Sequence, residues 1–153
     1  MQKEYLTTDL GKYLNKITDK GMKQFCEETI LNYGSEQKLK TANKVASVCL
    51  GLLKKKKLLS TQYANALCDI MIVASLLHNV WYDGSVTSLF RAREECLETA
   101  KELIDPRYVE QIFQTIESQL GDDTPVEKCR PTPSTPIELF SWAVWFVEEY
   151  KDE

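Results

Sequence analysis

Apolar residues recur at three- and four-residue steps, between credible caps, from one end of this 153-residue chain to the other. No stretch sustains the two-residue alternation of a half-buried strand. A chain patterned this way hides its apolar faces by packing helix on helix, which makes it all-α. The length suits one core rather than two, and 43% apolar with 27% charged residues is ordinary globular composition. The expectation is a single compact helical domain of about seven helices spanning residues 1–153.

The first helix is expected over about Asp9 to Thr18. The second runs from about Gly21 to Tyr33, with Gly34 as its stop and Ser35 as the cap of a third over about Glu36 to Lys55. Ser60 caps a fourth, in which Tyr63, Leu67, Ile70, Met71, Ala74 and Leu77 share one broad apolar face, and this is the expected central helix. It ends near Asn79. After the turn-like stretch from Trp81 to Ser85, Thr87 or Ser88 opens a fifth helix reaching about Ile104. Asp105-Pro106 pairs a carboxylate cap with proline at the first position of a sixth, which stops at Gly121. Asp122 to Ser134 holds Pro125, Pro131 and Pro133 and reads as a crossing loop. Thr135-Pro136-Ile137-Glu138 then forms a capping box opening the last helix. Trp142, Trp145 and Phe146 on that helix are too many for one face, so burial on two sides or a dimer surface is expected.

A net charge of -4 and a pI near 5.2 argue against DNA or RNA as the main partner, because neutralising phosphates needs clustered cations. The local exception is the run Lys54 to Lys57, read either as a solvated helix end or as a patch for a phosphate or an acidic protein. Cys26, Cys49, Cys68, Cys96 and Cys129 are odd in number and widely spaced, unlike a disulfide framework or a zinc site. Free thiols on apolar faces suit a reducing compartment. The charged N-terminal stretch lacks the apolar run of a signal peptide, and no segment reaches the length of a membrane span.

His78 is the only histidine, so any nucleophile triad must use it as the base, and no such set emerges. It closes the central helix, followed by Asn79 and then Asp83. Arg91, Arg93 and Glu94 lie in the first turns of the next helix, where arginines suit a phosphate and surface ion pairing is the competing explanation.

The stretch Ile72-Val73-Ala74-Ser75-Leu76-Leu77-His78-Asn79 resembles the apolar helix ending in His-Asp that marks the HD-domain metal-dependent phosphohydrolases. Gln37-Lys38-Leu39-Lys40-Thr41-Ala42 is similar to an early HD-domain segment, with Gln37 in place of its histidine. Ile116 to Gly121 is similar to a later one, with Gln119 in place of a histidine, and Ser141-Trp142-Ala143-Val144 resembles the final helix, with Val144 near the aspartate position. The resemblance covers about residues 25 to 150, in segment order and spacing. It implies a small stand-alone domain of bacterial or phage type, working in the cytoplasm of the cell or the infected host.

Gln37, His78, Asn79 and Val144 at four metal-binding positions leave one ordinary ligand. Neutral amides repay little of the cost of stripping water from a divalent ion, and losing the aspartate removes a bridging ligand. The resemblance therefore implies a catalytically degenerate domain that holds no metal. It acts by binding a nucleotide-like ligand or a protein partner, with homodimerisation a further option. The ligand-binding set is Gln37, His78, Asn79, Asp83, Arg91 and Gln119; alternatively, the amides satisfy one another. Two other readings stand beside it. An active phosphohydrolase needs Mn or Mg held by His78 and Asp83 together with a carboxylate such as Glu94 or Glu98. An adaptor or inhibitor protein has a filled pocket and uses its aromatic surface.

Overall fold

The structure is a computed structural model describing residues 9–55, 64–80, 86–117 and 136–149. Those residues form six α-helices and two short 3₁₀ turns, with no strand among them. The helices are α1 (Lys20–Tyr33), α2 (Glu36–Lys55), α3 (Ala64–Leu77), α4 (Val86–Leu103), α5 (Pro106–Glu117) and α6 (Pro136–Glu149). The all-helical expectation stands, and six helices replace the seven expected.

The missing helix is the first. In place of an α-helix over Asp9 to Thr18, the chain makes 3₁₀ turns at Asp9–Gly11 and Leu14–Lys16 and is extended at Ile17. Leu14 and Ile17 are buried, so the apolar spacing is used, but in a different backbone. An α-helix would pair the Leu10 carbonyl with the Leu14 amide. In the structure the Asn43 side-chain amide on α2 donates to that carbonyl at 2.9 Å. This bond, from a residue 33 positions along the chain, ties the turns to α2.

Elsewhere the local signals hold. Ser35 Oγ accepts from the Lys38 amide at 3.2 Å, and Asp105 Oδ1 accepts from the Arg107 amide at 2.9 Å, so both act as caps. Asp19 caps α1 by accepting from the Met22 amide at 2.9 Å. Gly34 does end α1, yet its φ of -88° is not left-handed. Glycine matters there because a Cβ would lie 2.8 Å from the Ile30 carbonyl oxygen. The caps expected at Ser60 and Thr135, the turn at Trp81 and Tyr82, and the crossing loop lie outside the described residues.

α3 is the central helix, packed against α1, α2, α5 and α6. Every residue from Asp69 to His78 is buried, so the helix is enclosed on all sides rather than along one stripe. On α2, by contrast, Leu39, Ala42, Val45, Ala46, Cys49 and Leu53 face inward while Lys40, Lys44, Ser47, Gly51 and Lys54 face water. α6 buries Leu139, Phe140, Ala143, Val144 and Val147. Its Trp142 and Phe146 lie half-buried on the flank, stacked at 5.0 Å between ring centroids.

Gly51 offers a clean test of helix propensity. A Cβ there would meet nothing within 4 Å, and the position is exposed within α2. Gly51→Ala is expected to raise stability by about 0.5–1 kcal/mol, because alanine loses less backbone entropy on folding. Urea denaturation should show a higher midpoint at an unchanged slope.

Candidate functional site

The single histidine and the amide beside it diverge. Just beyond the end of α3, His78 turns inward: it is 4% exposed, and its ring meets Phe140 of α6 edge-on at 6.4 Å. Its Nδ1 lies 2.7 Å from the Ser75 carbonyl oxygen, the geometry of an Nδ1–H donating to that carbonyl. Burial pushes the His78 pKa below its ordinary value, the Ser75 carbonyl opposing this in part, so the neutral ring is the favoured form.

Asn79 faces the start of α2. Its side-chain amide donates to the Lys38 carbonyl at 3.1 Å, while Lys38 Nζ donates to the Val80 carbonyl at 3.1 Å. Together they clasp the first turn of α2 to the end of α3. Gln37, one residue before the clasp, is exposed. Among the described residues, two enclosed oxygens beside this corner, Ser75 Oγ and Asn79 Oδ1, find no hydrogen-bond partner.

Of the other residues singled out in the sequence, Val144 is buried on α6. Asp83 and Gln119 lie outside the described residues, as do the side chains of Arg91 and Arg93. Glu94 and Glu98 project from α4 into solvent. Among the described residues no three His, Cys, Asp or Glu gather closely enough to hold a metal ion. No described helix is long and apolar enough to cross a membrane. Cys26, Cys49 and Cys96 are buried free thiols and Cys68 a half-buried one.

The polar residue that sequence reasoning passed over is Asp69. It stands on α3, 3% exposed, and accepts three hydrogen bonds: from the Thr18 amide at 2.9 Å, the Thr18 hydroxyl at 2.7 Å and the Asp19 amide at 3.0 Å. The available signal was an acidic residue inside an otherwise apolar run from Ala66 to Leu77. A buried carboxylate needs fixed donors, and these come from the segment entering α1.

Comparison with protein-family models, with curated proteins and with solved structures finds no match to this chain.

The burial of His78 has a pH consequence. Its folded pKa lies below the unfolded value of about 6.5, so the unfolded chain binds the proton more readily. The stabilising effect of the neutral ring is fully present above that value and is lost as the pH falls towards the folded pKa. Denaturation midpoints are expected to drop between pH 7.5 and pH 5 by more in the wild type than in His78→Gln. An equal drop in both would show that His78 takes up its proton as readily in the fold as in the unfolded chain.

Proposed function

We propose that this chain is a catalytically degenerate HD-like domain that acts by binding, and that it recognises a protein partner on its surface rather than a substrate in the former catalytic corner. The observation that carries this reading is the state of His78. A general base or metal ligand must present a ring nitrogen to a reacting group, whereas this ring is 4% exposed and enclosed against Phe140. Asn79, at the position of the family's aspartate, is occupied in clasping α2. The enclosed ring and the Asn79 clasp support the adaptor form of the degenerate reading.

The half-buried Trp142–Phe146 stack on α6 supplies the aromatic surface such a reading requires, since rigid amphipathic rings anchor interfaces at low entropic cost.

The test is a thermal-shift series on purified protein with Mn²⁺, Mg²⁺ and a panel of nucleotides, repeated on His78→Ala and Asn79→Ala. The expected result is no ligand-dependent shift in any of the three proteins. A rise with metal that both substitutions abolish would restore the phosphohydrolase reading. A rise with a nucleotide alone would return binding to the corner.

A further inference from the structure

Two thiols come level across the interface between α2 and α3. These helices run antiparallel, their register set by the clasp in which Asn79 donates to the Lys38 carbonyl. Cys49 lies eleven residues after Lys38 and Cys68 eleven before Asn79. Eleven residues are about three helical turns and rotate the side-chain direction by only about 20°. Each cysteine therefore falls on the face of its helix that makes the clasp, at the same height. Small residues on that face, Ala42 and Ala46 on α2 and Ser75 on α3, favour close approach of the backbones.

Exposure separates the two roles. Cys68 is half-buried and reachable, whereas Cys49 is fully enclosed. Burial pushes the Cys49 thiol up to about 12, with Cys68 the second contributor. Burial also raises the Cys68 thiol, with Asp69 adding to it.

We propose that Cys49 and Cys68 are a disulfide-forming pair, oxidised by a low-molecular-weight disulfide of the glutathione class. The Cys68 thiolate attacks one sulfur of the small disulfide, forming a mixed disulfide and releasing one small thiol. The Cys49 thiolate then attacks the Cys68 sulfur and expels the second. The protein dithiol loses two electrons and two protons, and the small disulfide becomes two thiols. Because both thiols ionise reluctantly, the exchange is slow at neutral pH and accelerates as the solution becomes alkaline. The product links α2 to α3 and closes a loop of about twenty residues.

The experiment treats the full chain with oxidised glutathione at about pH 9, unfolds it, alkylates the remaining thiols and maps the unreduced peptides by mass. The expected product joins the Cys49 and Cys68 peptides, leaves the other three cysteines alkylated, and melts roughly 5 °C higher. Cys49→Ala is expected to stop at a single stable glutathione adduct on Cys68. An unreacted pair, a link to any other cysteine, or a wild-type adduct on Cys68 that never resolves would each overturn the proposal.

Discussion

Gly21→Ala is expected to destabilise the protein by about 3 kcal/mol, seen as a fall in melting temperature of roughly 10 °C. The cause is the approach of α1 to α4. A Cβ built on Gly21 would lie 1.8 Å from the Leu103 carbonyl oxygen and 2.9 Å from its carbon, both backbone atoms at the end of α4. No rotamer change relieves such a contact, so one helix must move by more than an ångström. Propensity pulls the other way, because alanine in a helix gains about 1 kcal/mol over glycine. The same substitution should therefore have opposite signs at Gly21 and Gly51, a contrast that isolates packing from propensity. The contact also brings the positive end of the α1 dipole to the negative end of α4, and moving the helices apart weakens that attraction. A Gly21→Ala protein with wild-type stability would mean that the two helix ends do not meet.

Asp69→Ala is expected to cost roughly 2–4 kcal/mol, because it strips the partners from the Thr18 amide and hydroxyl and from the Asp19 amide. Asp69→Asn keeps the shape but sets an amide nitrogen where one oxygen accepted, and should lose less. Urea denaturation of both variants checks the order. Asp69 and Gly21 fix the same helix end from two sides, one through α3 and the other through α4. Their effects should not add, and the double variant should lose less than the sum. Full additivity would show that the two anchors act on independent elements.

How much was legible in the sequence differs between helices and site. The limits of α2 follow from Ser35 and the apolar spacing, and α5 starts at Pro106 because Asp105 caps it. These signals act within one turn of the chain, so neighbours in sequence suffice to read them. The stretch Asp9 to Thr18 carries the same spacing but forms 3₁₀ turns, tied to α2 by the bond from the Asn43 side chain, far along the chain, to the Leu10 carbonyl. At the candidate site, the sequence marks His78 and Asn79 as unusual polar residues ending an apolar helix. It does not tell which way each points.

What the sequence by itself determined is the class of the protein, helices at three- and four-residue periodicity, and the identity of the central one, because periodicity and caps are local. The tertiary structure alone decided that His78 is enclosed by Phe140 rather than offered to solvent. It likewise decided that Asp69 holds the entry to α1, that Asn79 clasps Lys38, and that Gly21 lies against Leu103. Each of these joins residues tens of positions apart. Their partners are chosen by how the helices pack, and the energy of a buried polar group depends on the donor or carbonyl that packing brings to it.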